Sequence, residues 1–487
     1  MLTLYMPIIL LCLSLGVEET EAMRNVPSIK TLRAKTEPSA PCVVGGAHAF
    51  ILRISSFFGL APLRFESRDC GFTVSISNAM CVYSFFLVTA LTISTIVGLV
   101  AEINVGVKLS VRMSSRMSQI VSACDVLVVV LSASVGVYGA PARMRKMLKF
   151  MDRVAAVDNS IGGHYSVLTE RKLCASLLAI LIFFTILIID DFCFYVLQAK
   201  KIDRHWEVVI NYLGFYVLWY VVMILELQFA FTALSVHARF RALNDTLALT
   251  ARNIAVPLEK VKKSSSLNIF AIRVTPADGQ RTDDINLLVD AMPKRQKVNV
   301  IKVRVSLGII KIIFSGEPRL IASPSDAIHG LASLHDTLCE IVRRIDDSYG
   351  VPLVVILIST LLHLIVTPYF LIMEIIISYT HRTHFLVLQF LWCATHMLRM
   401  FVVVEPSHYT IVEGKRTENL VCRMMSQASL AGELAARLEL FSRQLLLRVA
   451  GYSPMGMCTL DRPLVASILG AVTTYLVIVI QFQRYDV

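Results

Sequence analysis

The residues able to do chemistry in this chain form no catalytic constellation. There is no G-x-x-x-x-G-K-[ST] phosphate loop, no G-x-S-x-G elbow, no H-E-x-x-H helix and no glycine-rich dinucleotide turn. The eleven histidines are scattered rather than paired at ligand spacing, and the eleven cysteines follow no C-x-x-C or Cys/His pattern. Enzymatic activity, metal and cofactor are therefore not expected. What recurs is a polar or aromatic side chain inside a long apolar run: Asp125, Asp190, Asp191, Tyr212, Tyr216, Trp219, His363, Tyr369, Gln389 and Trp392. A polar group at membrane depth is costly unless it faces a cavity or a partner. Gln389 and Trp392 stand three apart on one helix face, an amide beside an indole, the mixture of aromatic walls and few polar groups that holds a small molecule. Asp125, Tyr216, Trp219, His363, Tyr369, Gln389 and Trp392 form the candidate ligand-binding set. The competing reading is that Tyr and Trp mark the aromatic belt of a bilayer and Asp190–Asp191 its interface. Near the C-terminus, Tyr475 and Gln481 interrupt an aliphatic run in which Ile478, Gln481 and Phe482 recur at three-to-four spacing. That face either lines water, with Ile478 and Phe482 as apolar gating rings and Gln481 along the open path, or hydrogen-bonds a neighbouring helix.

Such residues need elements that can hold them in hydrocarbon. The chain is 55% hydrophobic and 17% charged, with a mean hydropathy of +0.65, far from the balance of water-soluble domains. Seven runs, 80–100, 120–138, 173–196, 208–231, 351–378, 385–404 and 464–482, are long enough to cross about 30 Å of hydrocarbon. Each must be a helix, because no water is present to satisfy the backbone. The fold class is an all-α membrane protein with seven transmembrane helices. A net charge of +11 would suggest nucleic acid in a soluble protein, but here it is sorted between loops. Lys and Arg number 7 before the first span, 7 in 139–172, 17 in 232–350 and 6 in 405–463 with Arg462 set aside as span edge, against 8 in the alternate loops and tail. The positive-inside bias places the N-terminus in the cytoplasm and the C-terminus outside. On that orientation the polar set gathers toward the outer half of the bundle, and no nucleic acid is expected as a partner.

The division that follows is an N-terminal region with short hydrophobic segments (1–79), spans one to four (80–231), a cytoplasmic loop with anchor helices and an irregular insertion at 253–325 (232–350), spans five and six (351–404), a cytoplasmic anchor helix (405–463) and a final span with a short tail (464–487). Residues 2–15 are apolar but lack a basic lead, reading as a signal-like or eighth hydrophobic segment or as an extension outside the working protein. The run 50–62 is too short to span and reads as an interfacial or re-entrant helix. Segments 233–249, 328–349 and 420–449 carry apolar residues at helical spacing on one face, so they are expected to pack together below the membrane as a helical anchor domain. The insertion is basic and lacks helical periodicity, with a strand-like alternation at 298–305.

The run Thr474-Tyr475-Leu476-Val477-Ile478-Val479-Ile480-Gln481-Phe482 resembles the T-Y-h-h-h-h-h-Q-F signature of insect gustatory receptors at every position. Arg239-Phe-Arg-Ala-Leu-Asn244, Leu334-His-Asp-Thr-Leu-Cys-Glu340 and Gly456-Met-Cys-Thr-Leu-Asp461 resemble the same family in place and order. The resemblance implies a tetrameric, tastant-gated, nonselective cation channel in the plasma membrane of sensory neurons, homomeric or heteromeric. It also implies a central pore lined by span seven, gated near Gln481 and Phe482, with ligand entering from outside. Sugar-receptor members typically carry an acidic residue after the motif Tyr. Leu476 stands there, which turns the expectation toward bitter or other non-sugar ligands. Odorant receptors of the same superfamily are the near alternative. A G-protein-coupled receptor is the far one, and the charge sorting and the missing D-R-Y and N-P-x-x-Y motifs argue against it.

Overall fold

The computed structural model describes residues 43–44, 46–68, 71–106, 109–113, 116–161, 164–255, 300–305, 308–313, 324–377, 383–427 and 432–485. The apolar stretch 2–15 and most of the 253–325 insertion lie outside them. A short strand β1 (Val43–Val44) leads into helix α1 (Gly46–Phe57), then strands β2 (Leu63–Arg68) and β3 (Gly71–Ile76). Helices α2 (Asn78–Val105), α3 (Arg116–Tyr138), α4 (Ala140–Ile161), α5 (His164–Lys200) and α6 (His205–Ala255) follow. After strands β4 (Val300–Val305) and β5 (Gly308–Ile313) come α7 (Pro324–Ile377), α8 (Thr383–Gln427), α9 (Glu433–Leu447) and α10 (Arg462–Tyr485).

Among the described residues, α2, α3, α5, α6, α7 and α8 are long and apolar enough to cross a bilayer, and Arg462–Ile478 within α10 is a shorter apolar helix. The 24 residues of α10 still reach about 36 Å at ~1.5 Å per residue. The protein is an all-α membrane protein, with its small antiparallel sheets outside the spans, one before the first and one between α6 and α7. Only 22% of the apolar windows of α2 and α5 is buried, against 67% for α6 and 72% for α7. Thus α2 and α5 present their greasy faces to lipid, while α6 runs through the middle against α2, α3, α5, α7 and α8. The crossing of α2 with α6 is made by small residues. A Cβ on Gly98 would strike the backbone of Asn211, and Gly214 sits against Thr95, Ser94 and Leu91 of α2. Close approach at small residues is how helices pack where lipid removes the hydrophobic drive between them.

Three central helices continue beyond the bilayer as rods of 51 (α6), 54 (α7) and 45 residues (α8). Their extensions and α9 pack on one another. The rings of Phe240 and Phe441 close on His335 at 5.7 and 5.8 Å. The Asn244 amide donates to the Glu413 carbonyl and carboxylate at 2.8 and 2.7 Å and accepts from Thr417 at 2.7 Å. Glu340 is held by Arg344 of its own helix and by Arg153 of α4.

Several local expectations need correction. Segment 420–449 is not one helix: α8 stops at Gln427 and α9 starts at Glu433, after Gly432 at φ 97°. The 50–62 run is a helix only to Phe57, then turns at Gly59 (φ 76°). Its Ala49, Leu52, Ser55 and Ser56 are buried, and the helix packs against α5 and α6. The hairpin β2–β3, pairing Leu63 with Ile76 through Arg68 with Gly71, lies in the N-terminal region read only as short hydrophobic segments, and the amphipathic α4 lies where the sequence reads as a basic loop between spans. The strand-like alternation, by contrast, is as expected where it is described: Val300–Val305 is strand β4, paired antiparallel with β5.

Gly98→Leu should force α2 and α6 apart. Such overpacking costs ~1–3 kcal/mol, and thermal unfolding in detergent should show a midpoint several degrees lower. An unchanged midpoint would mean the crossing yields easily.

Candidate functional site

The spans bring most of the candidate residues to one buried cluster. Asp125 on α3 receives Arg112, from the connection before it, at 2.9 Å on one carboxylate oxygen. Its other oxygen lies 2.6 Å from His363 Nε2 on α7. The other nitrogen of that imidazole faces the Ser359 carbonyl at 2.5 Å. A carbonyl only accepts, so Nδ1 is the donor in that contact. The Arg112 guanidinium also lies over the rings of Tyr195, Tyr212 and Phe215. Trp219 of α6 forms the centre, with ring centroids 4.8 Å from His363, 5.6 Å from Trp392 and 5.8 Å from His396. Tyr216, one turn earlier, donates to Asp191 of α5 at 2.5 Å.

Asp125, Tyr216, Trp219, His363 and Trp392 therefore meet. Gln389 is buried one turn before Trp392, but no described hydrogen bond or ring contact ties it to them. Tyr369 is buried on α7, with its ring against Phe370 at 5.5 Å. The structure adds residues that were not singled out from the sequence. Arg399 of α8 and Glu226 of α6 form an ion pair at 2.5 Å with both side chains fully buried, and the guanidinium lies 4.7 Å from the Trp219 ring. His396 stacks between His363 and Trp392 at 4.8 and 5.6 Å. The signal was available: Gln389, Trp392, His396 and Arg399 form one stripe at three-to-four spacing, and Glu226 interrupts an aliphatic run.

Helix α10 has two unlike faces. Val465, Ile468 and Val472 bury against Leu364, Ile365, Met400 and Val404 of α7 and α8, with Tyr475 packed at the edge of the same cluster. On the other side Ser467, Gly470, Thr474, Ile478 and Gln481 are exposed at three-to-four spacing. Ile478 and Gln481 of the predicted gate thus share an uncovered face. The Phe482 side chain lies outside the described set. Thr474 donates to its own Gly470 carbonyl at 3.0 Å.

The lower end of α10 is latched to α8. His408 Nδ1 lies 2.5 Å from Asp461, and Arg462 forks onto Glu405 at 3.0 and 3.1 Å. Although partial burial works the other way, the His408 contact and the Arg462 N–H hold the Asp461 carboxyl below its ordinary range. Nearby, burial pushes the Asp346 carboxyl of α7 up to about 6, against a hydrogen bond from the Ser453 backbone and with help from Asp347.

A family profile described as "7tm Chemosensory receptor" matches residues 48–264 and 294–485. The chain is 29% identical over 455 residues to "Gustatory receptor for sugar taste 43a" of Drosophila melanogaster, covering 89% of this chain and 97% of that protein. It is 27% identical over 168 residues to "Putative gustatory receptor 28a" of the same fly, 33% of this chain and 36% of that protein. Among solved structures, the insect olfactory receptor OR5 from Machilis hrabei in complex with eugenol aligns with a TM-score of 0.58 at 11% identity, covering 89% of this chain and 97% of that one. The same receptor in a second structure aligns at 0.55 and 12%.

Arg399→Met alone should cost ~3–5 kcal/mol by stranding Glu226, and adding Glu226→Met should recover most of that loss. Additive losses in the double-mutant thermal cycle would sink the coupling. Asp346 is more acidic unfolded than folded, so the folded state gains on protonation. The contribution of Asp346 to stability should be full below about pH 4 and lost as pH rises through about 6. Asp346→Asn should remove that slope from the Tm–pH profile, and an unaltered slope would assign it to another group.

Proposed function

The chain belongs to the 7tm chemosensory receptor family, and on that footing we propose that it is a tastant-gated, nonselective cation channel in the plasma membrane of sensory neurons. The observation that carries this reading is the pairing of a buried polar–aromatic cluster in the bundle with an uncovered polar stripe on α10. The cluster can recognise a small molecule. The stripe, facing copies of itself in a homo- or heterotetramer, would line the cation path, with Ile478, Gln481 and Phe482 at the gate and Thr474 and Tyr475 fixing the helix. The charge sorting supports a cytoplasmic N-terminus and anchor (232–350 and 405–463), an extracellular C-terminus and a cluster reached from outside.

For the ligand we favour a sugar or similarly polyhydroxylated compound. Paired hydrogen-bonding groups at Asp125, Asp191 and Tyr216 beside the Trp219 and Trp392 faces suit hydroxyls and C–H faces together. The relative matched over nearly its whole length is named for sugar taste. The second reading, a bitter or other non-sugar ligand, rests on Leu476 at the position after the motif Tyr. An odorant-gated channel of the same superfamily is the neighbouring alternative, which a volatile panel distinguishes.

Expression in cells followed by sugars, alkaloids and volatiles should give ligand-evoked cation current, first with the sugars. Trp392→Ala should raise the half-maximal concentration about tenfold, equivalent to ~1.4 kcal/mol, without changing permeability ratios. Gln481→Ala should do the reverse, altering permeation or gating. An extracellular N-terminal tag, or current that needs a G protein, would overturn the channel reading.

A further inference from the structure

A cleft of about 350 Å³, its open mouth included, lies between α1, α5 and α6, walled by Ile54, Cys174, Leu177, Leu178, Ile224 and Leu227 among others. It shares no residue with the polar cluster. Leu178 also belongs to the outer face of α5, where Ile182 and Ile186 are exposed. In a bilayer that face meets hydrocarbon, so the cleft opens to lipid rather than to water.

Two cations stand beside this cleft along α5. Arg171 stands three residues before Cys174 and seven before Leu178, on the same stripe of α5. It and Lys172 are exposed, and no described residue pairs with either. The pattern is two cations with no described partner, one helical turn from the end of an apolar groove. At ~1.5 Å per residue, Arg171 and Leu178 are about 10 Å apart along the helix, a separation suited to a headgroup and the upper part of its chains.

We propose that this cleft binds an acidic phospholipid of the bilayer, with the phosphate on Arg171 and Lys172 and an acyl chain against Cys174 to Leu181. The charge complementarity selects an anionic lipid over a zwitterionic one. The site depends on the membrane placement of α5 and α6 and not on the channel reading.

The test uses the full chain in detergent, with phosphatidylserine and phosphatidylcholine as probes and native mass spectrometry as the readout. Phosphatidylserine should be retained in preference to phosphatidylcholine. Arg171→Gln with Lys172→Gln should weaken its retention about fivefold per charge removed, the ratio equivalent to ~1 kcal/mol for each basic residue at an anionic surface. Cys174→Trp, which fills the groove and leaves both charges, should abolish retention of either lipid. Equal retention of the two lipids by the unsubstituted chain would overturn the proposal. So would retention of neither, leaving the groove to residues 2–15 or to bulk lipid, or phosphatidylserine binding that both variants leave intact.

Discussion

The interaction on which the bundle depends is the Arg399–Glu226 pair beneath Trp219. Two opposite charges fully removed from water are tolerated only because each satisfies the other within hydrogen-bond distance. A hydrophobic pair of the same volume would hold α6 to α8 at least as firmly, so strength is not what the ion pair adds. It adds register. Leucine ridges can slide past one another by a turn at small cost, whereas sliding α8 against α6 would strand both charges in hydrocarbon. The same register places Trp392 and His396 against Trp219, and α7 then sets His363 in the remaining space.

Because α8 is one continuous helix of 45 residues, that register extends well beyond the cluster. Trp392, His396 and Arg399 engage the site, and Glu405 and His408 hold the start of α10. Glu413 and Thr417 then close on Asn244 of α6. One rod thus touches the site, the base of α10 and the packed extensions below. Pro406 removes one hydrogen bond from α8 between the first group and the last, next to the residues that grip α10. The segments resembling the chemoreceptor family supply the same joints: Asn244, His335, Glu340 and Asp461 all make contacts between elements rather than contacts with the polar cluster.

Much of this was legible because lipid simplifies the physics. Apolar length alone located the spans, and the cost of polar groups in hydrocarbon located Asp125, Tyr216, Trp219, His363 and Trp392. What escaped was whatever depends on partners distant in the chain. Glu226 and Arg399 each stand out singly in an apolar run, but nothing in the sequence pairs them until their 173-residue separation closes to one ion pair. Helix α4 reads as a basic loop because its buried face is made of methionines, Met144, Met147 and Met151, spaced among Arg and Lys. The strand residues Leu63, Phe65, Val74 and Ile76 escaped because the hairpin is short and its alternation begins directly after an apolar helix. The break at Gly432 was missed because flanking segments keep the same helical phase.

The unlike faces of α10 follow from how each polar residue satisfies itself. Thr473 and Thr474 return their hydroxyls to the Gly470 carbonyl, so they can stand on an exposed face of a membrane helix at little cost. Gln481 has no such option, because its amide carries two donors and an acceptor that its own helix cannot occupy. Facing lipid, it would be the costliest side chain on that face, whereas water or an equivalent glutamine from another copy would satisfy it. The apolar stripe of Val465, Ile468 and Val472 is already spent on α7 and α8, which leaves rotation of α10 no room to hide Gln481 within its own chain. The cost of that one amide therefore falls away only where water or another polar group meets this face of α10.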